Sequence, residues 1–364
     1  MRGVRDATYL LAVVVALVSG AVAVGCALYL GLPLRDPDGF LGPTYVRLPV
    51  IVALMLAVDV LPRALRRARS VRTAAEQILA IARDRWPWRR LRPALVGLLA
   101  FYGTYVSYRN LKNFLPLLRH DLVDQELTDL DRVMAGGVPP AQLLHDILGT
   151  GVTAHVLSWV YLAFLMFVPA SLAVALVSRG RSREASWYVT ALCLNWSLGT
   201  VSYYILPSMG PVYSQPELFW NLADTGTSQL QNSLLVSRWL VIADPQATDR
   251  IQSIAAFASL HVSIVFTAAL IGQLVLPSRA ARAVLWIYFT LTLTATIYFG
   301  WHYIVDDIGG LALGGISVLI AAWGTGRFRR PAEVPEAAGE EPDVRGRLSP
   351  ARFRRRDEPA PTGP

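Results

Sequence analysis

The chain has 364 residues, of which 54% are hydrophobic and only 16% are charged, and its formal net charge is +8. Soluble globular domains carry about 25% charged residues, so the composition excludes an ordinary soluble enzyme and indicates a membrane protein. The basic residues lie in short arginine runs with no nucleic-acid recognition module beside them, and we expect no nucleic-acid partner.

Long apolar stretches recur along the chain, and a helix that crosses a bilayer needs about 20 mostly apolar residues. Because backbone polar groups find no water in lipid, such stretches form helices or a closed barrel, and their length favours helices. The sequence therefore predicts an all-α fold, a polytopic transmembrane helical bundle with about eight spans. The predicted spans are 8–30, 44–61, 93–112, 153–177, 186–206, 254–276, 282–300 and 303–324.

Arginine runs occupy alternate connections between these spans, and positive residues favour the cytoplasmic side of a membrane. We therefore predict a multi-pass protein of the plasma membrane with both termini in the cytoplasm. Residues 1–92 are expected to form two N-terminal spans and a basic cytoplasmic linker, and residues 93–325 the main membrane domain. The tail, 326–364, is rich in proline, arginine and glutamate and is predicted to be disordered.

The stretch YRNLKNFLPLLRH lies where the third span leaves the membrane. It contains the only lysine of the chain, Lys112, and Arg119 follows seven residues later. An ammonium and a guanidinium group together bind anions well. The alternative is that both side chains simply reach from the end of the span to the polar interface.

The stretch AFASLHVSIVF opens the sixth span and places His261 two residues after Ser259. A helix start offers free N–H groups and the positive end of the helix dipole, which suit a phosphate group. The alternative is a serine N-cap followed by an interfacial histidine.

The stretch WHYIVDD opens the eighth span. His302 and Asp306 are four residues apart and are expected to share a helix face, whereas Asp307 is expected to point elsewhere. An imidazole beside a carboxylate is the arrangement that orients a nucleophile or a base. The alternative is a His–Asp pair that caps a helix near the interface.

The predicted topology brings these three stretches to the external face of the membrane. Together they suit phosphoryl transfer without a metal or cofactor, because the sequence has no dense Asp/Glu cluster at metal-ligand spacing and no glycine-rich phosphate loop. A transport path would place ionisable groups near the bilayer midplane. An enzyme is therefore favoured over a transporter or a structural membrane protein, which remains the alternative.

In order and spacing, the three stretches resemble the signatures of the type 2 phosphatidic acid phosphatase (PAP2) superfamily, which read K-x6-R-P, P-S-G-H and S-R-x5-H-x3-D. Lys112 to Arg119 is similar to the first, ASLH (258–261) to the second and HYIVD (302–306) to the third. The resemblance covers roughly residues 100–320.

Several positions depart from those signatures. The missing signature arginine leaves open whether Arg109, Arg119 or another side chain completes the phosphate site. SLH followed by HYxxD is more similar to the branch that contains inositol phosphorylceramide synthases and sphingomyelin synthases. The departing positions are His120 and Ala258 in place of prolines, Leu260 in place of glycine, and Ala295 and Thr296 in place of the Ser-Arg pair.

The resemblance implies a six-helix catalytic core within 93–325. It also implies that His302 attacks phosphorus and becomes a phosphohistidine, while Asp306 orients its imidazole. His261 would protonate the leaving oxygen and then deprotonate the acceptor. The phosphate oxygens would be bound by Lys112, Arg119 and Ser259.

The branch resemblance implies a lipid phosphotransferase that moves a phospho-headgroup, such as inositol phosphate, to an alcohol acceptor. The alternative is a lipid phosphate phosphatase that uses water. The implied partners are a membrane lipid phosphate or phospholipid and an alcohol, with no metal and no cofactor. The sequence does not indicate the oligomeric state.

Overall fold

The computed structural model describes residues 9–37, 44–67, 71–178 and 180–328. Within these ranges the chain forms thirteen α-helices, one short 3-10 helix (Pro216–Phe219) and no strand, as the all-α prediction expects. The α-helices in chain order are α1 (Leu10–Leu30), α2 (Thr44–Arg67), α3 (Val71–Arg85), α4 (Trp88–Leu118), α5 (Asp124–Met134), α6 (Pro140–Leu148), α7 (Val152–Val177), α8 (Ser182–Ile205), α9 (Pro211–Ser214), α10 (Gly226–Ala243), α11 (Leu260–Val275), α12 (Arg279–Tyr298) and α13 (Ile304–Gly324).

In the described part of the chain, four helices are long and apolar enough to cross a membrane, namely α1, α7, α12 and α13. The apolar helix α11 has only 16 residues. The other predicted spans coincide with α2, α4 and α8, which carry more polar or charged side chains. The chain is a membrane protein on this evidence, and the count of eight spans and the six-helix core stay predictions.

One of the predicted spans begins too early. The sixth begins at Leu260 rather than at about 254, whereas the eighth begins at Ile304, within one residue of its predicted start. Residues 254–259 are as apolar as a membrane helix, but their backbone N–H groups donate to other segments of the chain. The N–H of Ser259, which a helix from 254 would bond to the carbonyl of Ala255, donates instead to the carbonyl of Asp306 (2.9 Å), so no continuous helix runs through this segment.

The long helices form an antiparallel bundle with two distinct ends. At one end the chain that leaves α1 meets α4, where the N–H of Arg35 donates to Oδ1 of Asn110 (2.8 Å). At the opposite end a guanidinium N–H of Arg90, near the start of α4, donates to the carbonyl of Val177 at the end of α7. We call the first the histidine end, since α11 and α13 also begin there, and the second the arginine end.

Helix α13 lies very close to α11 because two glycines face it. A Cβ on Gly310 would lie 2.5 Å from the carbonyl oxygen of Ser259, and one on Gly314 would lie 2.8 Å from that of Ser263. Any side chain at these positions would push the two helices apart. The close approach brings the start of α11 to the start of α13, and with it the two stretches that contain His261 and His302.

The arginine runs that guided the predicted orientation lie at the ends of α2, α3 and α13 and at the starts of α4, α8 and α12. These termini belong to the arginine end, so the runs gather on one side of the bundle as predicted. Which side faces the cytoplasm stays a prediction. Of the predicted disordered tail, residues 329–364 lie outside the described residues.

Candidate active site

His302 and Asp306 meet in the turn between α12 and α13. His302 lies just before Tyr303, the N-cap residue of α13, so the two side chains do not share a helix face as predicted. They approach because Oδ2 of Asp306 accepts from the backbone N–H of Tyr303 (2.9 Å) and thereby turns back toward the imidazole. The separation from Nδ1 of His302 to the same oxygen is 3.5 Å, with both residues buried.

His261 lies across from His302, in the first turn of α11. The two ring centroids are 6.0 Å apart. The ring of His261 stacks on Tyr161 at 4.6 Å and tilts against Phe164 at 4.2 Å, and both of these residues belong to α7. This aromatic wall fixes the plane of the imidazole and leaves its other side toward His302.

Lys112 brings a positive charge to the histidine pair. It is only 7% exposed, and its ammonium lies over the ring of Tyr203 at 4.7 Å, while its Nζ is 3.4 Å from the hydroxyl of Tyr108. A buried ammonium held by aromatic faces instead of a carboxylate keeps its charge available for an anion. Its charge acts on both His261 and His302.

The environment of His302 keeps its imidazole neutral. Burial lowers the pKa of His302 to about 3, the charge of Lys112 lowers it further, and a hydrogen bond with the backbone of Ala256 opposes both. A neutral imidazole retains a lone pair on one ring nitrogen, so His302 is in the protonation state that a nucleophile needs across the physiological range.

The segment 252–259 carries the start of α11 to this place. Gln252 donates from Nε2 to the carbonyl of Lys112 (2.5 Å), and its own backbone N–H donates to Oδ1 of Asn113 (2.9 Å). At the other end of the segment, the N–H of Ser259 donates to the carbonyl of Asp306 (2.9 Å). The segment 252–259 thus connects the end of α4 to the start of α13.

Ser259 is fully buried and acts as the N-cap of α11. Its hydroxyl accepts from the backbone N–H of Val262 at 3.4 Å and also bonds to the side chain of Asp307. These contacts match the capping alternative raised from the sequence. Its assignment to the phosphate oxygens stays a prediction.

Arg119 is hydrogen-bonded to α8 and not to the histidine pair. It is the C-cap of α4, and its guanidinium donates to the carbonyl of Tyr204 at the end of α8. Arg109 lies one helical turn before Lys112 and acts electrostatically on it, and its buried Nε has no hydrogen-bond partner among the described residues. Arg109 is therefore better placed than Arg119 to supply the missing signature arginine, although both assignments stay predictions.

The remaining histidines differ in their surroundings. Nε2 of His145 lies 2.8 Å from the carbonyl oxygen of Tyr298, and burial lowers the pKa of His145, which indicates a structural role. His120 and His155 are exposed.

Two acidic residues of α5 hold the turn that contains His302, and the sequence interpretation did not single them out. Oδ1 of Asp131 accepts from the backbone N–H of Ile304 (2.9 Å), and Asp124 accepts from the N–H groups of Met209 and Gly210. The hydroxyl of Tyr303 also donates to Asp124 (3.0 Å). The signal was the spacing Asp124, Thr128, Asp131, which places three polar side chains on one buried face of α5.

Asp307 points elsewhere than the His302–Asp306 pair, as expected. It is buried, and its Oδ2 accepts from the hydroxyl of Thr296 (3.0 Å). Thr296 stands at the position of the signature arginine. Asp307 therefore binds the residue that takes the place of the signature arginine.

Several buried polar atoms around His302 lack a hydrogen-bond partner among the described residues. Native proteins leave few such atoms, so a cluster of them indicates a ligand site. A cleft of about 20 Å³, which Asp131, Gln215 and His302 help to line, is large enough for about one water molecule. The unpaired atoms are Nε1 of Trp301, Nδ1 of His302, Oδ1 of Asp306 and Oδ1 of Asp307.

Within the described residues, no group of three or more His, Cys, Asp or Glu side chains is arranged to hold a metal ion. The prediction of a metal-independent reaction is not tested by this finding. What the geometry brings together is an imidazole pair, one carboxylate beside it and one buried ammonium, and these groups suit the transfer of an anionic group.

Comparison with known proteins gives one match. A model of the PAP2 superfamily matches residues 125–320, a range that includes His261, His302 and Asp306 but begins after Lys112 and Arg119. No curated protein and no solved structure matches the chain.

Proposed function

The chain belongs to the PAP2 superfamily, whose model covers more than half of its residues, and from this premise we propose that it is a lipid phosphotransferase with a phosphohistidine intermediate. Membership indicates phosphatase or phosphotransferase activity on lipid phosphates. The proposal adds a nucleophile, a proton donor and an alcohol acceptor. The observation that carries it is the convergence of His302, Asp306, His261 and Lys112 at one end of the bundle.

In the first half-reaction the lone pair of the His302 imidazole attacks the phosphorus of the lipid. The bond from phosphorus to the leaving oxygen breaks, and His261, which takes up a proton when the anionic lipid phosphate binds, gives that proton to the leaving oxygen. Asp306 stabilises the positive charge that forms on the imidazole of His302. The product is a phosphohistidine and a free alcohol.

In the second half-reaction neutral His261 takes the proton from the hydroxyl of the acceptor. The acceptor oxygen attacks phosphorus, the phosphorus–nitrogen bond breaks and His302 returns to its neutral form. Lys112 stabilises the charge on the non-bridging oxygens in both transition states, and Arg109 or Arg119 assists. An alcohol acceptor makes the enzyme a transferase, and water makes it a phosphatase.

Trp301 is assigned a binding role in the same proposal. Its indole is 7% exposed and stacks on Tyr161 at 5.1 Å with an interplanar angle of 5°, and Tyr161 in turn stacks on His261. Nε1 of Trp301 is a donor without a partner among the described residues. An indole N–H only donates, so its partner is an acceptor oxygen of the substrate.

A transporter or structural protein is the less favoured reading. Ionisable residues of a transport path lie near the middle of the membrane. Here they lie in the turn before α13, in the first turn of α11 and near the end of α4. This terminal position suits a lipid whose chains stay in the membrane while its phosphate reaches the histidine pair.

The proposal is tested with the purified full-length protein and two radiolabelled lipids, phosphatidic acid and phosphatidylinositol. Each is incubated with and without ceramide as the alcohol, because transfer to diacylglycerol would only regenerate the starting lipid. A labelled product that forms only with the alcohol supports transfer, and release of free phosphate or inositol phosphate alone supports hydrolysis. No turnover of either lipid under any of these conditions would contradict the proposal.

A further inference from the structure

A second charged site lies at the arginine end, far from the histidine pair. Helices α2 and α3 enclose a cleft of about 360 Å³. Such a volume is in the range of small-ligand pockets. Its polar lining consists of Arg63, Arg67, Gln77, Asp84 and Arg85.

The guanidinium groups of this cleft are held in place by a buried carboxylate. Asp59 is 1% exposed and accepts from Arg63 Nη1 (2.6 Å) and from Nε and Nη2 of Arg85 (both 2.8 Å). The indole of Trp86 donates to its second oxygen at 2.9 Å. Since each guanidinium has five N–H groups, these bonds use only part of each one.

The fixed guanidiniums have donors left for a second anion. Three arginines border the cleft, and the carboxylates that balance them are Asp59 and Asp84, so the site keeps an excess of positive charge. Ordering of a long side chain is a main cost of binding, and Asp59 has already ordered two of the three. Arginine forks match the oxygen geometry of phosphate groups.

We propose that the cleft between α2 and α3 binds a phosphate-bearing anion, with the headgroup of an anionic phospholipid as the ligand in the membrane. Basic pockets between membrane helices bind such headgroups. The cleft is separate from the catalytic site, because α4 alone places Trp88 about 36 Å from Lys112 along its axis. The proposal is therefore independent of the proposed function.

The test measures the affinity of the full-length protein in detergent for three probes through the ligand-induced rise in thermal unfolding temperature. The probes are dioctanoyl phosphatidylglycerol, dioctanoyl phosphatidylcholine and inorganic phosphate. The variant is Arg67→Gln, because Arg67 is exposed and is not one of the side chains that donate to Asp59. The controls are Arg67→Lys, Lys112→Met at the histidine end and Arg183→Gln, an exposed arginine of α8.

Loss of one charged donor is expected to weaken phosphatidylglycerol binding about tenfold in Arg67→Gln. Arg67→Lys and Arg183→Gln should stay within about threefold of the parent, and phosphatidylcholine should bind more weakly than phosphatidylglycerol. If inorganic phosphate shows the same tenfold loss, the anion site stands and the free ion is a ligand too. Unchanged affinity in Arg67→Gln, or a loss confined to Lys112→Met, would overturn the proposal.

Discussion

The two ends of the bundle hold their buried charges in opposite ways. At the arginine end the carboxylate of Asp59 is saturated by donors from Arg63, Arg85 and Trp86. At the histidine end Nδ1 of His302 and Oδ1 of Asp306 have no partner among the described residues. A saturated buried carboxylate stabilises the fold, whereas an unsaturated cluster is stable only because the surrounding structure imposes it.

This difference assigns the two ends separate tasks. The histidine end offers a nucleophile, a proton carrier and a cation that all still need a ligand. At the arginine end Asp59 has completed its ion pairs with Arg63 and Arg85, and guanidinium N–H groups are left over. Substitutions at the first should reduce activity and leave stability nearly unchanged, and substitutions of Asp59 at the second should do the reverse.

The largest expected effect is the loss of turnover in His302→Ala. Without the nucleophile no phosphohistidine forms, and kcat should fall by about 10⁶-fold, as for removal of the nucleophile in other covalent enzymes. The measurement is release or transfer of label from the lipid found to be the substrate. His155→Ala, at an exposed histidine, should keep activity within about twofold, and comparable turnover in both variants would contradict the assignment.

The next largest effect is on stability, in Asp59→Ala. Removal of one partner from a buried ion pair leaves guanidinium groups uncompensated and should lower the free energy of unfolding by about 3 kcal/mol. Denaturant titration of the purified protein measures the change, and the specific activity of the folded fraction should stay near that of the parent. Asp249→Ala serves as the control, since that side chain is fully exposed. Equal stability of the two variants would remove the contrast between the ends.

A smaller effect is expected for Trp301→Phe. Phenylalanine keeps the stack on Tyr161 but lacks the indole N–H, so kcat/KM should fall about tenfold through the loss of one hydrogen bond to the substrate. Steady-state kinetics and the unfolding temperature are measured together. Trp220→Phe, at a tryptophan that is 77% exposed, should leave kcat/KM unchanged. If Trp301→Phe behaves like this control, the indole does not bind substrate.

The smallest effect concerns the pH dependence of stability. Burial raises the pKa of Asp131 to about 7 from an ordinary value of 3.8, and the charge of Asp306 adds to the rise, while a hydrogen bond from the backbone of Ile304 opposes it. Because the folded protein favours the neutral carboxyl, its stabilising contribution is complete below 3.8 and is lost as the pH rises toward 7.

Asp131→Asn has no proton to lose over this interval. The unfolding temperature of the parent should therefore decline between about pH 4 and pH 7 more steeply than that of the variant. Thermal unfolding across this interval measures the two slopes, with Asp129→Asn, at an exposed position of the same helix, as the control. Parallel slopes for the parent and Asp131→Asn would show that Asp131 does not titrate differently in the fold.

The sequence was sufficient to predict the helical class and the clustering of three remote stretches. Apolar length identifies helices, and the alternation of arginine runs orders their ends, which is why Lys112, His261 and His302 were expected at one face. The same reasoning placed the start of α11 too early. The apolar residues at 254–259 are buried in an irregular segment, and apolar composition does not distinguish such a segment from a buried helix.

The contacts that hold the site residues in place could not be predicted from the sequence, because they join segments far apart in the chain. Asp131 caps a helix that begins more than 170 residues later, and Gln252 binds the carbonyl of Lys112 across a separation of 140 residues. The helical spacing separated Asp307 from His302 correctly, but it could not identify Thr296 of the preceding helix as the partner of Asp307.

The most direct test of the central claim is to trap the covalent intermediate. The full-length protein is incubated briefly with phosphatidic acid labelled in its phosphate, quenched with alkali, which preserves phosphohistidine, and digested for peptide mapping. The account predicts acid-labile label on the peptide that contains His302, and none in His302→Ala. Label on a different residue, or an active His302→Ala enzyme, would contradict it.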